Sequence, residues 1–194
     1  MRSQFWTAPN QLTLLRLIFV PFAVINVLDA HYGWALAIFV IAGLSDALDG
    51  LLARWLHQKT TLGGYLDPIA DKLLLSSMFL VLSFTHEIPW RYTVMVFSRD
   101  ISILLVAALL YATTSIRDFR PSIFGKINTF SQVAAIFFVL LANVHSALWI
   151  TFGRRCMLYA TFAFTIVSGV HYVLAMGQRL HQTGQNRPAA TGRP

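Results

Sequence analysis

The sequence predicts an all-α polytopic membrane protein, a bundle of about six transmembrane helices. Three observations lead there. Of 194 residues, 56% are hydrophobic and only 12% charged, about half the charged share of a soluble domain. Mean hydropathy is +0.61. Six stretches also come near the ~20 apolar residues that a hydrocarbon core about 30 Å thick requires of a helix.

These stretches cover residues 11–29, 34–55, 68–86, 91–112, 123–142 and 156–177. The first reads as a retained helix, because Arg16 and Pro21 interrupt it, no small-x-small cleavage site follows and further spans come after it. Pro68 and Pro89 stand where the third and fourth helices are expected to begin. Proline suits a first turn, where its missing N–H is not needed, and Asp67 just before Pro68 could double as an N-cap. Residues 1–178 form one membrane domain in this reading, and 179–194, polar with Gly and Pro, a disordered tail. The single cysteine, Cys156, excludes an intrachain disulfide.

Net charge is +7, yet the Lys and Arg residues are scattered singly, without the dense basic run of a nucleic-acid binder. In a membrane protein they report orientation and suit anionic lipid head groups. Arg2, Arg16, Arg54, Lys59, Lys72, Arg117, Arg120, Lys126, Arg179, Arg187 and Arg193 fall to one side, against Arg91, Arg154 and Arg155 on the other. This asymmetry puts both termini in the cytosol. Arg154 and Arg155 run against the rule. With no long targeting extension, the reading favours a bacterial inner membrane.

Four of the eight acidic residues lie between Asp46 and Asp71. Asp46 and Asp49 close the second span, while Asp67 and Asp71 open the third. A carboxylate in or beside hydrocarbon costs several kcal/mol unless it is paired or coordinating. Asp46 and Asp49 are about 60° apart around a helix axis, and Asp67 and Asp71 about 40°, so each pair projects from one face. If the intervening residues return the chain, four carboxylates converge at the cytosolic mouth. Like charges this close need a counter-charge. Hard oxygen donors on fixed helices suit Mg²⁺ or Mn²⁺, and two ions about 4 Å apart could hold a pyrophosphate. Gly50 and Ala53 leave bare backbone for close approach, and Arg54 offers a guanidinium fork to a phosphate.

Blander readings cover parts of this pattern. Gly50 and Ala53 could serve helix packing, and Arg54, Lys59 and Lys72 could be topology anchors. None of these explains Asp46, Asp49 and Asp71 together. A divalent-cation channel would instead line a continuous polar pathway, whereas here four acids cluster at one end and the outer half offers only Glu87 and Asp29, which do not match them. No histidine pair has metal-ligand spacing on one helix; His31, His86 and His145 fall at outer loop edges.

Spelled out, the stretch is Asp-x2-Asp-Gly-x2-Ala-Arg-x8-Gly-x3-Asp-x3-Asp, from Asp46 to Asp71 with Gly63 as its second glycine. It resembles the signature of the CDP-alcohol phosphatidyltransferase family, with every position filled. Pro9-Asn10-Gln11-Leu12-Thr13-Leu14-Leu15-Arg16 resembles the family's first helix, and Pro121-Ser122 with Gly125-Lys126-Ile127-Asn128-Thr129 its 4–5 region. The likeness is good over residues 9–132 and weak beyond.

The resemblance implies an enzyme that transfers the phosphatidyl group of CDP-diacylglycerol to a glycerol-type alcohol with release of CMP. By it, Asp46, Asp49 and Asp67 hold metal, and Asp71 shares the metal site and acts as general base. Gly50, Ala53, Arg54, Gly63 and Thr13 bind the CDP-lipid. Candidate acceptor residues are Arg99, Arg117, Arg120 and Lys126, with plain loop charge as the alternative for the last three. Arg99 and Asp100 are read as a buried pair or as part of the acceptor pocket. Glycerol 3-phosphate is expected as acceptor on frequency. Phosphatidylglycerol is the alternative, because Ser98-Arg99-Asp100 and Lys126-x-Asn128-Thr129 look more like the cardiolipin synthases of this family. The family reading implies membrane lipids as surroundings, no nucleic-acid partner, and allows a homodimer.

Overall fold

The computed structural model describes the backbone over residues 8–55, 63–113 and 123–185, and side chains within 11–45, 69–105 and 123–170. Six α-helices account for it: α1 (Ala8–Leu28), α2 (Tyr32–Trp55), α3 (Gly63–Phe84), α4 (Trp90–Thr113), α5 (Ile123–Val144) and α6 (Leu148–Gln185). The shortest, α1, has 21 residues and at 1.5 Å per residue is about 32 Å long. Among the described residues, one helix segment, Gly125–Val144 with a mean hydropathy of 1.7, is long and apolar enough by itself to cross a membrane; Thr13–Leu28 and Tyr32–Ser45 are shorter apolar segments.

The first two tight turns have the same construction. Ala30 and His86 take left-handed backbone conformations, with φ of 57° and 64°. His31 N–H donates to the Asn26 carbonyl and Ala30 N–H to that of Val27; Glu87 N–H donates to the Leu82 carbonyl and His86 N–H to that of Ser83. Both are Schellman closures, made without glycine. The short 29–31, 85–89 and 145–147 connections therefore gather at one end of the bundle. His31, His86 and His145 lie exposed in them, as expected.

Helix α1 packs against both α2 and α3; α5 packs against α6, α2 and α3; and α4 packs against α6 and α3. Alanines with no exposed surface, Ala23 on α1 and Ala35 and Ala42 on α2, let these backbones approach closely. Phe39, Met78, Phe79, Leu82, Ile136 and Leu140 fill the centre. At Gly153 an added Cβ would come within 2.5 Å of the Phe138 ring, so α6 meets α5 there by having no side chain. Polar side chains tie helices as well. Ser83 and Thr93 are hydrogen-bonded, and Thr93 Oγ1 donates to the Phe79 carbonyl at 3.2 Å, joining α3 to α4. On every helix, large apolar side chains also face outward, among them Ile18, Trp34, Leu80, Leu105, Phe130 and Phe152.

Three boundaries differ from expectation by five residues or more. Helix α3 starts at Gly63, so Pro68 lies inside it and Asp67 does not cap it. Pro68 instead removes the bond that would reach the Gly64 carbonyl. Helix α6 starts at Leu148, eight residues before the expected 156. Arg154 can sit within it because Glu87 is its counter-ion at 3.8 Å. Helix α6 also runs through Gln185, past Arg179, where the polar tail was expected to begin; residues 186–194 lie outside the described residues.

Candidate active site

The motif divides between two helix ends. Asp46, Asp49, Gly50, Ala53 and Arg54 occupy the last turns of α2, and Gly63, Asp67 and Asp71 the first turns of α3. Both are at the end opposite the short turns. Of these residues, only Asp71 has a described side chain. Among the described residues no group of three or more His, Cys, Asp or Glu comes together. The chemistry of the donor set is carboxylate oxygen on helical turns, which is what Mg²⁺ or Mn²⁺ selects.

Asp71 carries the most informative geometry. Its Oδ1 accepts from Arg16 Nη1 at 2.8 Å, joining α3 to α1 across 55 positions of sequence. The Arg16 side chain is 1% exposed and that of Asp71 41%. The pair is thus sealed on the guanidinium side and open on the carboxylate side. Thr13, one turn before Arg16, is fully buried. From sequence, Arg16 reads as a cytosolic-side charge within the family-like first helix. Its pairing with Asp71 is the contact that sequence reasoning missed, and the only signal for it was a lone arginine in an apolar run.

The next residue of α3 turns to another neighbour. Lys72 Nζ meets Asp100 Oδ2 at 2.8 Å, while Arg99 Nη1 meets Asp100 Oδ1 at 2.7 Å. Arg99 Nη2 also donates to Ser168 Oγ at 3.0 Å. The expected Arg99–Asp100 pair is present, and it extends to α3 on one side and α6 on the other. Two adjacent residues, Asp71 and Lys72, therefore bind this turn of α3 to α1 and α4.

Beside this network runs a buried polar seam. Thr165 Oγ1 on α6 donates to Asn128 Oδ1 on α5 at 3.0 Å. Gln132 lies one turn from Asn128, and Thr161 one turn from Thr165; both are buried. Among the described residues, Asn128 Nδ2, Gln132 Nε2 and Thr161 Oγ1 have no hydrogen-bond partner. Of the other acceptor candidates, Lys126 is exposed on the first turn of α5. Arg117 and Arg120 lie outside the described residues, as does the loop lysine Lys59.

Comparison with known proteins gives this arrangement a family. The chain is 33% identical over 188 residues to a cardiolipin synthase (CMP-forming) of Rattus norvegicus, covering 86% of this chain and 61% of the rat protein. It is 34% identical over 157 residues to the cardiolipin synthase (CMP-forming) of Homo sapiens, covering 72% of this chain and 52% of that one. A Mycobacterium tuberculosis protein named "Probable phosphatidylglycerophosphate synthase" is 34% identical over 185 residues, covering 89% of this chain and 82% of its own. The chain thus spans between half and two thirds of its mammalian relatives. The family that these proteins represent generally uses divalent metals. Residues 6–167 match the family model for CDP-alcohol phosphatidyltransferase, and the chain belongs to that family.

Proposed function

We propose that this protein transfers the phosphatidyl group of CDP-diacylglycerol to a glycerol-type alcohol and releases CMP. The supporting observation is that all eight motif residues sit on the last turns of α2 and first turns of α3, at one end of the bundle. Asp46, Asp49 and Asp67 would hold divalent metal together with Asp71, two Mg²⁺ or Mn²⁺ ions in all. When bound, these ions neutralise the pyrophosphate and favour ionisation of a nearby hydroxyl. Gly50, Ala53, Arg54, Gly63 and Thr13 would form the CDP-lipid site.

Asp71 is the base in this reading. Its carboxylate takes the acceptor's hydroxyl proton, and the acceptor oxygen forms a bond to the lipid-side phosphorus. The phosphorus–oxygen bond of the pyrophosphate breaks, and its electron pair leaves on CMP. The 41% exposure of Asp71 gives the acceptor a way to reach it.

For the acceptor we place phosphatidylglycerol first and glycerol 3-phosphate second. Ser98-Arg99-Asp100 and the names of the rat and human relatives weigh toward the lipid acceptor. The M. tuberculosis relative's name and the basic groups Lys126, Arg117 and Arg120 favour the phosphate-bearing one. Purified protein with Mg²⁺ and CDP-diacylglycerol, offered each acceptor separately, decides by CMP release. Release with phosphatidylglycerol alone supports our order, release with glycerol 3-phosphate alone reverses it, and release with neither overturns the acceptor class.

We further infer a polytopic bundle in a bacterial inner membrane, with this site facing the cytoplasm. Helices of 21 residues or more match a core about 30 Å thick. A soluble monomer rarely exposes contiguous apolar patches beyond a few hundred Å², whereas here apolar side chains face outward on all six helices.

A further inference from the structure

We propose that Arg16 is a positioning residue for the transfer, its buried guanidinium holding one oxygen of Asp71 so that the carboxylate is presented to the acceptor hydroxyl. The inference rests on the reading of Asp71 as base.

Burial comes first. An arginine serving as a topology anchor extends its head group to the interface, but the Arg16 side chain is 1% exposed. A buried guanidinium is costly unless its charge is met, and the carboxylate that meets it belongs to the motif. Direction comes second. Arg16 lies on α1, which packs on α3, and Nη1 reaches Asp71 Oδ1 at 2.8 Å. Asymmetry comes third. If the pair were only a strut, both members could be enclosed, as Arg99 and Asp100 nearly are at 12% and 14% exposure. Instead the carboxylate is 41% exposed, so it is held by Arg16 and still within reach of solutes. The neighbouring Lys72 is directed to Asp100 on the other side. Arginine suits this role because its guanidinium stays charged when buried, whereas a buried lysine readily shifts its pKa.

The test compares wild type, Arg16→Gln and Arg16→Lys, each purified in detergent and checked for a folded melt. CMP release gives kcat and the KM for CDP-diacylglycerol, and a titration with Mn²⁺ alone, followed by electron paramagnetic resonance, reads metal binding without turnover. A misplaced base costs on the order of 100-fold, so Arg16→Gln should lose about that in kcat while KM stays within about threefold. Removing a cation beside the acids should leave Mn²⁺ affinity equal or raise it several-fold. Arg16→Lys should lose only about tenfold. The proposal is overturned by wild-type kcat in the Gln variant, by matching losses of Mn²⁺ binding or CDP-lipid affinity, or by a Lys variant no better than Gln. If the Gln variant does not fold, the Lys variant decides: a tenfold kcat loss with intact Mn²⁺ binding supports positioning, and wild-type kcat overturns it. Wild-type protein that releases no CMP with either acceptor overturns the proposed acceptor class instead, a different result from an equally active variant.

Discussion

Glu87 and Asp71 are both acids held between helices, one at each end of the bundle, and their surroundings differ. Glu87 is ringed by protein. Tyr32 from α2 donates to it at 3.3 Å, Asn143 from α5 at 2.9 Å, and Arg154 from α6 binds both its carboxylate and its backbone carbonyl. Its side chain is 21% exposed. Asp71 is held by Arg16 and is twice as open. The first arrangement consumes a carboxylate's hydrogen-bonding capacity to join four elements; the second holds a carboxylate still while leaving it accessible. Charge alone does not mark a site in an apolar bundle, because closed networks serve packing. In the proposed reading, the acid that is oriented and partly open is the one used for chemistry.

The contrast can be broken at either end. The largest effect is expected from Asp71→Asn: CMP release should fall by more than about 1,000-fold, as for loss of a base acting with metal, while CDP-diacylglycerol still binds in an equilibrium assay. An active Asn variant would sink the assignment. Chelation comes next. EDTA should abolish CMP release and added Mg²⁺ restore it, and activity that survives chelation removes metal from the site. Asp100→Asn strips Lys72 and Arg99 of their shared partner. It should lower kcat/KM by roughly 10-fold, through misplacement of the α3 turn next to Asp71. An Asp100→Asn enzyme at full rate would mean that this network only packs helices.

At the closed end the effects should fall on stability. Glu87→Gln keeps the shape but leaves Arg154 without its counter-charge, costing about 1–3 kcal/mol, read as a lower detergent melt at unchanged kcat per folded molecule. A change in kcat with no change in melt would erase the distinction between the ends. The smallest effect belongs to Gly153→Ala, where the new Cβ displaces the Phe138 ring. The expected cost is about 1–2 kcal/mol, again without effect on kcat.

Much of this was readable in advance because the code is local. Apolar run length reports a helix, and the spacing of Asp46, Asp49, Asp67 and Asp71 reports one face per pair. Boundaries were less legible where a distant partner changes what a residue costs. Arg154 reads from sequence as a loop charge ahead of the sixth span, yet Glu87, 67 positions away, lets α6 begin at Leu148. Pro68 looked like a start signal, but α3 continues through it to Gly63.

The eight-residue motif, its division between the ends of two helices and its suitability for hard metal ions followed from sequence alone, because each depends on residue type and helical period. The tertiary structure decided which cation meets which acid. Arg16 reads from sequence as one more cytosolic-side charge, and only the packing of α1 on α3 brings it to Asp71. The pairing of charges across 55 positions depends on distance in space, and no periodicity along the chain encodes it.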